Sequence, residues 1–221
     1  MLALILALQA GQRVQGQSSY LRLQAMKDDW QQGAQAPRDQ ALNLGFKLAH
    51  RAIAREPDNA AYRLMLASLH AWRERGLRLW PDQAGAETVK VIENLKASLA
   101  RRPSWFEVWI MLALVKYQDQ QLDQQLHAAL EKAIETGRHE TAVQHGIAFI
   151  GPRMMEQLAP PLRGQIIDVM RGALDNPNVR AFVVEQIVMH GLERDFRERL
   201  AADEELSALL KRYREKRSAA L

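Results

Sequence analysis

His139, Glu140 and His145 fall within one short run, HETAVQH, the nearest approach in this chain to a metal-hydrolase pattern. Two helical histidines share a metal when they stand four apart, because i and i+4 lie on one face. Here the second histidine stands six residues on, well round the helix, so the pair reads as a cap and a surface residue. His50, His70, His127 and His190 are isolated from one another in sequence and read as helix-face residues. No Gly-rich phosphate loop and no Gly-x-Ser-x-Gly elbow occurs, and carboxylates such as Glu131 and Glu135 beside Lys132 follow the pattern of solvated faces. Trp30, Trp72, Trp80, Trp105 and Trp109 could stack on sugars, but their helical spacing reads first as packing. With no cysteine in the chain, thiol catalysis, disulfides and cysteine-held metals are excluded. The expectation is a protein without catalytic residues, metal or cofactor.

The composition supports a folded, helical chain. Of 221 residues, 48% are hydrophobic and 25% charged, which is ordinary for a chain with a core. Ala, Leu, Gln, Arg and Glu dominate, and these favour helices. The net charge of +4 comes from basic and acidic residues mixed along the chain. Only KRYREKR, Lys211 to Arg217, gathers basic residues, and this reads as the positive end of a last helix, where cations suit the dipole. No base-reading motif accompanies it, so neither nucleic acid nor a small-molecule substrate is expected.

The opening MLALILALQA poses a separate question. A span needs about 20 apolar residues, and no basic segment precedes this run as in a signal peptide. It is either the buried start of a first helix or the outer end of a membrane anchor. Residues 1–17 are therefore set apart from an array at 18–191 and a polar helical tail at 192–221.

Periodicity then yields helix after helix. Ser18–Ser19 could cap a helix carrying Tyr20, Leu23, Met26 and Trp30 on one face. Asp39 to Arg55 follows, with Leu42, Phe46, Ala49 and Ile53 as its stripe. Glu56–Pro57 forces a turn, since the residue before proline avoids helical dihedrals, and Asp58 or Asn59 caps the next helix. That helix is apolar on two faces, Tyr62/Met65/Leu69/Trp72 and Ala61/Leu64/Ala67/Ala71, as a middle layer of a stack requires. A loop LWPDQAG precedes a helix from Glu87 to Arg101. Further helices are expected at Ser104–Asp119, Leu122–Thr136, His139–Ile150, Leu162–Asp175, Asn178–His190 and Asp203–Arg217, with GPRMMEQLAPP as the longest irregular stretch. The fold class is all-α, an α-solenoid of tetratricopeptide-like helix pairs with about ten helices.

The register comes from corners at Pro57, Pro103, Arg138 and Pro177, spaced 46, 35 and 39 apart, around the ~34-residue tetratricopeptide period. Gly45, Ala49 and Ala52 fill the small-bulky-small slots before one corner, and Leu126, Leu130 and Ala133 those before another. Leu66–Ala67 is answered by Leu112–Ala113, and all four are expected to be buried between layers. In tetratricopeptide proteins the first helix of each pair lines a groove. That register places Ala61, Leu64, Ser68, Ala71 and Trp72 there, then Glu107, Ile110, Leu114, Tyr117 and Gln118, then His145 and Phe149. A lining this apolar suits an amphipathic helix of a protein partner, or else the chain's own tail through Leu206, Leu209, Leu210 and Tyr213.

Three stretches, AREPDNAAYRLMLASLHAW, SLARRPSWFEVWIMLALVKYQ and LAPPLRGQIIDVMRGALDNP, resemble the VpsP-like proteins of bacterial exopolysaccharide biosynthesis. The matching features are the corner Arg102 to Trp105, the run Leu112 to Lys116 and the opening Pro160 to Arg163, and the resemblance covers roughly Ser18 to Asn176. It implies an inner-membrane anchor followed by periplasmic tetratricopeptide-like repeats, acting as a scaffold for a polysaccharide synthesis or export complex, with no catalytic residues carried over. A tetratricopeptide adaptor of another envelope pathway, such as cytochrome c maturation, has the same layout, and a cytoplasmic location is the other reading of the short apolar start. This chain departs from the family in the length of its apolar start and in its polar stretch after Gly191.

Overall fold

The computed structural model describes the backbone of residues 2–32, 37–77 and 81–219, with side chains given outside 2–10, 12, 31–32, 75–77 and 81–84. Every regular element among the described residues is a helix. In chain order they are α1 (Leu2–Gln32), α2 (Asp39–Arg55), α3 (Ala60–Leu77), α4 (Pro81–Leu99), α5 (Phe106–Gln118), α6 (Gln124–Gly137), α7 (Thr141–Met154), α8 (Pro160–Ala173), α9 (Arg180–Met189), α10 (Arg197–Ala201) and α11 (Glu204–Ser218). The all-α class is borne out, and neighbours in sequence pack as pairs: α1 with α2, α3 with α4, α5 with α6, α7 with α8. The four expected corners each fall between one pair and the next, at α2/α3, α4/α5, α6/α7 and α8/α9.

The chain divides into two compact units, residues 1–103 and 104–221, within the stretch expected to form one array. In the first unit Leu23, Leu42, Phe46, Leu48, Met65, Leu66 and Leu69 form the core. Tyr20, Met26, Trp30, Ile53 and Trp72 pack around it. At the α2–α3 corner Asn59 does the capping, its Oδ1 accepting from the Ala61 N–H at 3.1 Å.

In the second unit the first helices α5, α7 and α9 lie side by side, and α6 and α8 lie side by side behind them. Gly146 permits the approach of α5 and α7: a Cβ there would overlap Ile110, 2.7 Å from its Cδ1 and nearer still to its Cγ1. Lys116, buried at the end of α5, donates to Gln121 Oε1 at 2.8 Å and to Asp123 Oδ2 at 2.9 Å. Asp123 Oδ1 in turn caps α6 by accepting from Leu126 N–H. Residues 192–219 fold with this unit, burying Phe196, Leu200 and Leu206. Ion pairs Arg180–Glu205 and Glu185–Lys216 and the bond from Arg217 Nη1 to the Val188 carbonyl match the two helices start to start and end to end. α11 therefore runs parallel to α9, as the first helix of a following pair would.

Several boundaries move. Helix α1 runs unbroken through Ser18–Ser19, which cap nothing; Ser19 Oγ donates back to the Gln15 carbonyl at 3.1 Å inside the helix. Helix α4 begins at Pro81, inside the expected LWPDQAG loop, because proline is tolerated in a first turn where the N–H has no partner anyway. Trp80 lies outside the described residues. Helix α7 continues through Gly151–Pro152 to Met154, which confines the expected irregular stretch to Met155–Ala159. Packing holds it there: Gly151 is buried against Ile166 of α8. A short helix, α10, was not anticipated.

Candidate functional site

On α7, His145, Phe149 and Arg153 recur every four residues, and on α9 so do Phe182, Gln186 and His190. Side chains at that spacing share one face, and the two stripes lie against each other. His145 stacks on Phe182 with centroids 4.1 Å apart and planes 12° apart. One turn pair further, Arg153 Nη1 donates to Gln186 Oε1 at 2.7 Å. From the other side, Tyr117 of α5 meets the Phe149 ring edge-on at 6.0 Å. Arg153 lies 4.4 Å over the Phe149 ring and donates to that residue's carbonyl at 2.6 Å. Contacts among three first helices thus produce one strip of aromatic and polar side chains, with His145 and Arg153 exposed and Tyr117, Phe149 and Phe182 half-buried.

The end of that strip is basic. Arg217 of α11 reaches the Val188 carbonyl at 2.6 Å, two residues from His190. Burial, then the charges of Arg153 and Arg217, hold the His190 imidazole below its usual pKa, so it stays neutral near pH 7. Glu185 on the same helix is taken by Lys216 at 2.9 Å, and Glu193 lies with Arg214 at 3.6 Å.

The residues expected to line a groove are distributed as follows. Tyr117 and His145 stand in the strip just described. Leu114 is half-buried in the α5–α7 seam and Gln118 is exposed on the last turn of α5. Glu107 is exposed and accepts from Trp105 Nε1 at 2.8 Å. Ile110 is buried against Gly146 and forms part of the seam rather than the lining, because the missing Cβ lets α7 close over it. Leu64, Ser68 and Trp72 belong to the first unit: Ser68 Oγ donates to the Leu64 carbonyl, and Trp72 packs edge-on to Trp30 of α1 at 6.2 Å. Ala61 and Ala71 are half-buried on that helix. Of the tail stripe, Leu206 is buried, while Leu209, Leu210 and Tyr213 are half-buried on a helix that packs on α9 and α10.

One cluster escaped the sequence reading. In the first unit, the His70 ring nitrogen Nδ1 lies 2.6 Å from Glu87 Oε2, both buried. Lys90 donates to the other carboxylate oxygen at 2.9 Å, Arg73 approaches it at 4.0 Å, and the Phe46 ring covers the imidazole at 4.7 Å. Burial outweighs the carboxylate and keeps His70 below its usual pKa. Burial also opposes the Glu87 charge, but bonds from His70 and Lys90 hold it ionised, below the usual value. A helix-face histidine and a glutamate 17 positions on carry no joint signal until α3 and α4 pair. His139 and Glu140 are both exposed in the turn before α7, and among the described residues no three His, Cys, Asp or Glu gather as a metal site.

No family model and no curated protein sequence matches this chain. Among the described residues no helix is long and apolar enough to cross a membrane.

Proposed function

We propose that this chain is a non-catalytic scaffold that docks a protein partner on the first-helix face of residues 104–221. The observation that carries this reading is the strip Tyr117–Phe149–Arg153 and His145–Phe182–Gln186. It keeps rings and guanidinium at the surface, where they can lose water against a second protein. The system served is a bacterial exopolysaccharide synthesis or export complex, a reading supported by the resemblance through Arg102 to Trp105, Leu112 to Lys116 and Pro160 to Arg163. Its place is the periplasmic side of the inner membrane, a reading supported by the apolar Leu2–Ala10 run, which continues without a break into the body of α1.

The test is photo-cross-linking in cells, with a photoreactive residue placed at Gln118, at His145, or at Glu131 on the second-helix side. Adducts to a polysaccharide-system subunit from Gln118 and His145, and none from Glu131, are expected. Equal adducts from all three positions, or none from the first two, would remove the reading. A haem-lyase component in those adducts would reassign the pathway to cytochrome c maturation.

A further inference from the structure

Arg153, His190 and Arg217 converge on one end of the strip from three different helices. Arg153 reaches Gln186, one turn before His190 on the same face of α9, and Arg217 reaches Val188, two residues before it. Each guanidinium spends Nη1 on neutral oxygens, namely the Phe149 and Val188 carbonyls and the Gln186 amide. Neither is paired with a carboxylate among the described residues. Lys216 and Glu185 satisfy each other alongside. Bringing two guanidiniums to one imidazole costs free energy unless an anion joins them, and guanidinium donors in a fork fit a carboxylate best. In the cleft beside α10 the charges are mixed: Arg171 and Arg199 are paired with Asp168 and Asp175, and Arg194 and Arg197 share the walls with Asp195 and Glu198.

We propose that the Arg153–His190–Arg217 end of the strip binds a carboxylate of a partner peptide whose adjacent apolar side chain lies on the Phe149 and Phe182 rings. The inference rests on the docking face proposed above and names the chemistry of what docks there. A peptide is favoured because the rings continue directly from the basic end: Arg153 itself lies over Phe149, and the part of the half-buried Phe149 and Phe182 rings still exposed beside Arg153 and His145 suits an apolar side chain rather than a bare anion. Contact with the carboxylate would also ease protonation of His190, so binding and the charge on that ring are linked.

The full chain, with its histidines observed by NMR, is titrated with three probes: N-acetyl-Phe-Asp-Asp-Phe amide, the same tetrapeptide with Asn for Asp, and inorganic phosphate. The aspartyl peptide is expected to move the His190 resonance saturably and to raise its titration midpoint. The asparaginyl peptide should bind about tenfold or more weakly, as loss of a charge-assisted contact implies. Arg153→Gln and Arg217→Gln should each weaken the aspartyl peptide by about tenfold, with the His50 and His127 resonances and the helical dichroism unchanged as controls of folding. Without peptide, both variants should raise the His190 midpoint, since each removes a repelling charge. Equal binding of the two peptides overturns the proposal, as does an absent His190 response or affinity unaltered in both variants. Phosphate moving His190 as strongly as the aspartyl peptide also overturns it, by marking a site for free anions. If cross-links arise from Gln118 and His145 while the two peptides bind alike, the carboxylate inference fails and the docking face stands.

Discussion

His70 and Glu87 show how a single buried pair makes one unit sensitive to acid. The histidine is held below its usual pKa by burial, so the fold favours the neutral ring. The stability this gives is present above the ordinary histidine pKa of about 6.5 and drains away as pH falls below it. Glu87 is held below the usual carboxylate value; its contribution is present above that value and is lost at still lower pH. Both signs agree, so acidification destabilises residues 1–103 in two steps. Thermal melts between pH 8 and pH 4 should show this, and His70→Gln should flatten the step nearer pH 6 while costing about 1–3 kcal/mol at neutral pH. A second residue runs the other way. Gln120 holds a positive φ of 57° just past α5, where Gln121 N–H bonds back to the Lys116 carbonyl at 2.9 Å. That is the left-handed C′ position of a helix terminus, where glycine avoids the Cβ penalty. Gln120→Gly should therefore raise stability by up to about 1 kcal/mol, read from denaturant midpoints with an unchanged slope.

At the scale of elements, the α5–α7 seam decides where the aromatic strip lies. Gly146 lets Ile110 of α5 sit inside the distance that any Cβ would need, and this sets the depth at which Phe149, three residues on, meets Tyr117. Gly146→Ala should cost about 1–3 kcal/mol by overpacking. It should also disturb Tyr117 and Phe149 resonances before it disturbs α10 or α11. Retained stability with a normal Tyr117–Phe149 contact would show that the seam has slack. Helix α11 packs on α9 and α10 and turns a charged side outward. Leu206 is buried while the outer positions are charged, and Lys216 and Arg217 fasten its end to Glu185 and the Val188 carbonyl.

For the molecule as a whole, pairing between sequence neighbours gives each unit its own buried layers, with Leu66 and Ala67 inside the first and Leu112 and Ala113 inside the second. Leu112→Asp would place a charge at a buried position of the second unit, 1% exposed. Several kcal/mol of destabilisation are expected, visible as a large fall in the thermal midpoint. A reporter fused after Gln17 should be active on the periplasmic side, and activity in the cytoplasm would exclude that location.

The corners and the paired helices were legible from the amino-acid sequence because proline and apolar periodicity act locally. Pro57, Pro103 and Pro177 interrupt helices wherever the chain goes, and stripes such as Leu42–Phe46–Ala49 bury whichever neighbour covers them. Tyr117 and His145 could be placed on first helices for the same reason. The tertiary structure alone decided which side chains meet: Arg153 with Gln186, His145 with Phe182, His70 with Glu87, and Lys116 with the α6 cap. Each depends on the axial offset between two helices, which is set by close approaches such as Gly146 on Ile110 rather than by any residue's own preference. The same holds for α7, which passes through Gly151–Pro152 because tertiary packing outweighs a local stop signal. α11 became a parallel neighbour of α9 because Leu206 and three charged contacts fix it there, while its sequence pattern alone permits several other seats.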